Sequence, residues 1–165
     1  MVSVTFGVTS RERGITALVR IQLLAVKGDH CYVTALFICD HFGIKTTQRF
    51  VVDTGTIHTT LPESRARELG VDLEKLETYK IKLKVGGIGG GTDARMLGGI
   101  RLIFTAMDGS SVEEELPFIH VLWNPVVRSE EDRKILSTFP CLLGLDVIRR
   151  FTLRFGEENF AYLEP

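Results

Sequence analysis

An all-β domain, folded as a barrel or a sandwich, is what this 165-residue chain predicts. Short apolar runs rich in branched side chains recur between turns that contain Gly and Asp. Tyr79 to Val85 alternates, with Ile81, Leu83 and Val85 set against Lys80, Lys82 and Lys84, which is the period of a half-exposed strand. Asp108-Gly109, between two apolar stretches, is a hairpin signal.

The elements follow in chain order. Residues 15–27 read as a strand, turned at Gly28 and Asp29. Residues 31–39 form a second strand, and Asp40 to Gly43 a second turn. Thr46 to Asp53 is a third strand, ending in Asp-Thr-Gly. Pro62 to Gly70 reads as a short helix: Pro62 suits its first position, Glu63 its first turn and Gly70 its stop. Tyr79 to Val85 leads to a tip at Gly86 to Gly91, and Arg95 to Met107 returns as a strand interrupted at Gly98-Gly99. Val112 to Trp123 is the next strand. Asn124 to Pro140 is a long polar connection, with a helical turn over Ser129 to Leu136 because Glu130, Glu131 and Asp132 suit a helix start. Cys141 to Leu143 is a buried strand and Asp146 to Phe151 a short helix, with Asp146 as its cap. Thr152 to Phe155 and Phe160 to Leu163 close the chain as a hairpin. Residues 15–165 read as one domain and residues 1–14 as an N-terminal extension outside it.

Composition removes several classes of function. The chain is 44% hydrophobic and 25% charged, ordinary for a soluble globular protein. A net charge of −1 supplies no basic field for nucleic acid or an anionic membrane. No apolar run approaches the ~20 residues of a membrane span. Met1 to Gly14 lacks a secretion signal's apolar core and carries Arg11 and Arg13, so the expected location is cytoplasmic. The three cysteines, Cys31, Cys39 and Cys141, give no disulfide framework. Cys31 and Cys39 sit at the two ends of one strand, about 26 Å apart at ~3.3 Å per residue, too far to share a metal. Buried free thiols and no metal are expected.

The chemistry concentrates at Phe50 to Thr60. An apolar run delivers Asp53 into Asp53-Thr54-Gly55, and Gly55 lets another chain segment approach where a Cβ would block it. Alone, the triplet is equally that of an Asx-turn at a strand end. Two further segments bear on it. Gly86 to Gly91 holds five glycines in six residues between two strands that pair as a hairpin. This is the composition of a lid with free backbone N–H groups; no Gly-Lys-Ser/Thr follows, which argues against a phosphate loop. Cys141 to Ile148 carries Leu142-Leu143-Gly144, two apolar residues and a close-packing glycine, ahead of Asp146.

These three segments, in this order, resemble the retroviral-type (retropepsin-like) aspartic peptidases. The resemblance implies a retropepsin-like acid-protease barrel with one or two short helices. It makes Asp53 the catalytic carboxylate, with Thr54, Gly55 and Thr56 shaping its loop. Gly86, Gly87, Ile88, Gly89 and Gly90 become the substrate-binding flap, with Ile88 at its tip. Leu143 and Gly144 lie beneath the loop, and Asp146 supports it near Thr59. Peptide hydrolysis in this family uses two facing carboxylates that share one proton. The charged one takes a proton from water and the neutral one donates to the substrate carbonyl. The chain holds one Asp-Thr-Gly, and Asp108-Gly109-Ser110 reads as a surface turn. The second carboxylate therefore comes from a second copy, in a twofold homodimer whose Thr54 residues bond across the axis. No cofactor is implied, because the nucleophile is water, and the partners are a second copy and a peptide or protein substrate.

The chain departs from the family where many members carry Ala and a carboxylate after the triplet: Thr56, Ile57 and His58 stand here. The Arg that often follows the later glycine is Leu145, so the ion pair is absent as a unit. His58 lines the cleft or is an exposed strand-end residue. Trp123, Pro125 and the charged residues after them cover a cleft or dimer edge, or form a solvated loop. A catalytically inactive dimerisation or peptide-binding module is the other expectation the sequence leaves open.

Overall fold

The computed structural model describes residues 19–26, 30–78, 83–87, 90–122, 129–130, 134, 138–155 and 161–164. Ten strands dominate them: β1 Leu24–Val26, β2 His30–Cys39, β3 Ile44–Val52, β4 Thr60–Pro62, β5 Leu83–Gly87, β6 Gly90–Thr105, β7 Ser111–Leu122, β8 Leu142–Leu143, β9 Thr152–Phe155 and β10 Ala161–Glu164. The short helices are α1 Glu63–Glu68, α2 Leu73–Thr78 and α3 Leu145–Ile148, with a 3₁₀ turn at Asp40–Phe42. Among the described residues the chain is mostly β, and α2 is a helix the sequence did not lead us to expect.

Eight strands form one sheet in the order β1-β2-β3-β8-β4-β7-β6-β5, and β2 also pairs with β6. That extra pairing closes β2, β3, β8, β4, β7 and β6 into a barrel, which removes most open edges. The long strands make the closure possible. β2 pairs β1 at Tyr32 and before, then β6 from Ala35 onward. β6 pairs β5 as far as Ala94, then β2 from Ile100. Gly98 and Gly99 lie between those two partnerships. Gly99 sits at φ +67°, which a side-chain-bearing residue adopts only with strain, and β6 runs through the glycine pair rather than stopping there.

Alternation fills the barrel. Val33, Ala35 and Phe37 of β2, Phe50 of β3 and Leu102 and Phe104 of β6 are buried, while their neighbours Thr34, Arg49 and Thr105 face water. Burying each such phenylalanine contributes roughly 1.5–3 kcal/mol of apolar transfer. Gln48 is one of the buried polar residues, with Thr59, Thr60, Arg95 and His120; it donates to Cys141 Sγ at 3.2 Å and accepts from Arg65 Nε at 2.6 Å. It ties β3 to α1 and to the residue entering β8. Burial pushes the Cys141 thiol up to about 12, so it stays protonated and inert. Cys39 is also buried and free, whereas Cys31, paired with Ala25 of β1, is only half-buried.

Two elements escaped the sequence reading. β4 is three residues long, too short to show a period, and ends at the Pro62 that enters α1. α2 is started by Asp72, whose Oδ1 accepts from Glu74 N and Lys75 N at 3.2 Å each. The expected turn at Gly28-Asp29, strand residues 79–82, the tip residues Ile88 and Gly89, and most of the connection from 124 to 137 lie outside the described residues. Asp108-Gly109 turns β6 into β7 with Gly109 at φ +83°.

Candidate active site

The chain builds the site by inserting one strand between two others. β3 runs up to Val52, the loop 53–59 follows, and the chain returns as β4. β8 enters between β3 and β4, parallel to the first and antiparallel to the second. Asp53 N donates to Leu143 O at 3.0 Å, which places the aspartate at the end of the β3–β8 ladder.

Asp53 is half-exposed, and both its carboxylate oxygens are held by its own loop. Gly55 N donates to Oδ1 at 2.8 Å, and Thr56 Oγ1 donates to Oδ2 at 2.7 Å. A Cβ on Gly55 would stand 3.2 Å from Oδ1, so glycine keeps that oxygen close to the loop backbone. Thr54 and Gly55 are exposed at the turn, and Ile57 is 68% exposed.

Beneath the loop, Thr59 and Asp146 form a staple. Thr59 N donates to Asp146 Oδ2 at 2.9 Å, and Thr59 Oγ1 donates to Asp146 Oδ1 at 2.8 Å. Thr59 Oγ1 also accepts from Gly144 N at 3.2 Å, and Thr59 O accepts from His120 N at 2.9 Å. Each polar atom of this fully buried threonine is thereby satisfied. Leu145 N and Asp146 N donate to Thr56 O and Ile57 O at 2.8 and 3.0 Å. Asp146 does not stand at the N-cap of α3 as expected: the helix begins one residue earlier, after Gly144, with Leu145 N and Asp146 N taken by the loop's carbonyls and Val147 N donating to Asp146 Oδ1 at 3.0 Å. Leu143 and Gly144 are buried directly under these residues. A Cβ on Gly144 would fall 2.6 Å from His58 C and 2.8 Å from Thr59 N.

Beside the staple lies a cluster that no local pattern in the sequence reveals. Parallel pairing of Thr60 with His120 brings β7 against the loop. The rings of His58 and His120 have centroids 4.7 Å apart, and Phe118 lies 5.1 Å from His58. His58 is half-exposed, and its ring packs against Phe118 and His120 of β7 with Nδ1 3.9 Å from Asp146 Oδ2. His120 is 7% exposed and its Nε2 has no hydrogen-bond partner among the described residues. Burial holds its imidazole below the ordinary value, His58 adds to the shift, and Asp146 opposes it. An unfolded chain takes up this proton below about pH 6.5 where the folded chain refuses it, so folded stability falls on acidification through that range. His120→Phe is expected to lose less of its thermal midpoint than the wild type between about pH 7 and about pH 5, read by circular dichroism.

The glycine-rich segment pairs as a ladder, Gly86 with Gly91 and Gly87 with Gly90, so only Ile88 and Gly89, outside the described residues, join β5 to β6. Asp108 is tied into its own hairpin turn by Ser110 N and Oγ at 2.9 and 2.6 Å. A cavity of about 440 Å³ opens at the bend of β6, lined by Phe42, Leu76, Met96, Pro117 and Phe118 among others. None of its lining residues belongs to the Asp53 loop. Among the described residues no group of three or more His, Cys, Asp or Glu is placed to hold a metal ion, and no helix is long and apolar enough to cross a membrane.

No family model matches the chain, and no curated protein matches it. Among solved structures it is similar to a retropepsin-like aspartic protease from Rickettsia conorii, with 22% sequence identity and a TM-score of 0.48, covering 81% of this chain and 88% of that one.

Proposed function

We propose that this protein is a retropepsin-like aspartic endopeptidase that acts as a homodimer, cleaving peptide bonds with water activated between two Asp53 carboxylates, one from each copy. The observation that supports it most is the state of Asp53. Its carboxylate is half-exposed, fixed through both oxygens, and mounted on a loop braced from below by Leu143, Gly144, Thr59 and Asp146. An aspartate that served only as an Asx-turn would not need this second layer of support. One carboxylate cannot be acid and base at once, and Asp108 is bound to its own turn, so the second carboxylate is assigned to a second copy. Thr54, Gly55 and Ile57, exposed around Asp53, would then be covered at the twofold axis. The β5–β6 hairpin, with Gly86, Gly87 and Gly90 in its ladder and Ile88 and Gly89 at its turn, is assigned as the lid over the substrate. Water is the nucleophile, so no cofactor takes part.

The test is incubation with a diverse peptide mixture from about pH 3 to about pH 7, read by mass spectrometry, beside sedimentation of the protein alone. Discrete internal cuts, insensitive to a chelator, from a dimeric species are the expected result. Intact peptides at every pH from a folded dimer would leave the fold as a binding module and reject the peptidase.

A further inference from the structure

His58 is the residue that reaches from the loop toward the carboxylate bracing it. Its Nδ1 lies 3.9 Å from Asp146 Oδ2, with 36% of the His58 side chain and 12% of the Asp146 side chain exposed. That oxygen already accepts Thr59 N, and the other accepts Thr59 Oγ1 and Val147 N. At 3.9 Å a neutral imidazole makes no hydrogen bond. A protonated one makes an ion pair with the same carboxylate that staples the loop to α3. The charged or titratable groups facing His58 are Asp146 from α3 and His120 from β7. Across from β7, β6 sets Met96 opposite His120 and Gly98 opposite Phe118, and neither titrates.

We propose that His58 is a positioning residue for the cleavage reaction: its protonated imidazole, backed by His120 and Phe118, pairs with Asp146 and tightens the Asp53–Thr59 loop as pH falls. The proposal rests on the peptidase reading for its consequence, though not for its geometry. Two imidazoles with centroids 4.7 Å apart repel a second proton, and burial disfavours the charged form of His120. An ion pair made only by the protonated ring contributes at low pH and is lost as pH rises through the imidazole range. Aspartic catalysis, which needs one protonated carboxyl of two, is favoured in the same direction. The loop would therefore be firmest under the conditions in which its carboxylate works.

The experiment is amide hydrogen exchange of the full chain without substrate, at about pH 5.5 and about pH 7.5, corrected for intrinsic rates. The Thr59 amide, bonded to Asp146 Oδ2, is the reporter. In the wild type the ratio of its protection at the lower pH to that at the higher is expected to be about threefold larger than in either variant below, the gain of a partly exposed ion pair set against the loss of stability that His120 imposes on every form. The variants are His58→Phe, which keeps the ring packing and removes the charge, and His58→Gln, and each retains only the fall in protection that His120 causes. Where cleavage is observed, both variants should lose the acid side of the wild type's pH profile in kcat/KM. Equal pH dependence of Thr59 protection in wild type and both variants would overturn the proposal. Because exchange is read without substrate, an inactive protein with pH-dependent protection would sink the peptidase reading and leave the brace standing.

Discussion

Asp53→Asn is expected to remove peptide cleavage while leaving the fold and the dimer in place. Asparagine keeps Oδ1 as an acceptor for Gly55 N, now held at 2.8 Å, and its amide can donate to Thr56 Oγ1, which now donates to Oδ2 at 2.7 Å. The loop therefore loses little. Cleavage loses the only group able to take a proton from water, and in a homodimer it loses both copies together. A fall in kcat/KM of at least about a thousandfold is expected, the upper part of the range for general acid–base catalysis. The dimer should be no weaker, because two facing carboxylates repel unless they share a proton and two amides do not. Cleavage rates beside sedimentation at matched concentration check both halves. A variant that cleaves as the wild type does would remove Asp53 from catalysis altogether.

Gly144→Ala is expected to give the largest loss of stability among single-methyl additions in the described structure. The added carbon would fall 2.6 to 2.9 Å from His58 C, Thr59 N and His58 O, all backbone. A flexible side chain could swing away from such contact, but this peptide is fixed by Thr59 N to Asp146, by Thr59 O to His120 N and by Asp146 N to Ile57 O. Relief requires the loop or α3 to move and several of those bonds to stretch. Overpacking usually costs about 1–3 kcal/mol, and a backbone clash belongs at or above the top of that range. A drop in thermal midpoint of about 6–12 °C follows for a domain of this size. Glycine φ is not the cause: Gly144 sits at φ −92°, open to any residue. A midpoint within about 2 °C of the wild type would show that the loop is not clamped against α3.

The parts of this fold legible in the sequence are those written as local periods or turn chemistry. β2, β3, β7 and the closing hairpin β9–β10 were readable from apolar runs bounded by Gly and Asp. Asp108-Gly109 fixed its hairpin because a tight turn needs positive φ at Gly109. β4 was not readable: three residues carry no period, and Thr60–Pro62 is a strand only because β8 and β7 flank it. α2 had a usable signal in Asp72 three residues ahead of Lys75, with Leu73 and Leu76 on one face. The residues proposed for the site divide in the same way. Asp53, Thr54 and Gly55 stand in one motif, whereas the pairing of Thr59 with Asp146 spans 87 residues and was reached through the resemblance. His120 and Phe118 carry no motif at all. Their place beside His58 comes from the parallel register of β4 on β7, which no local pattern encodes.

Subunit mixing tests the shared site most directly. Wild-type protein and Asp53→Asn are combined in varying proportion at fixed total concentration, allowed to exchange partners, and assayed for cleavage. With one Asp53 from each copy required, activity should follow the square of the wild-type fraction, so that an equal mixture retains about one quarter of the pure wild-type rate. A fall in direct proportion to the wild-type fraction, about one half at equal mixing, would place a complete site within a single chain and contradict the account.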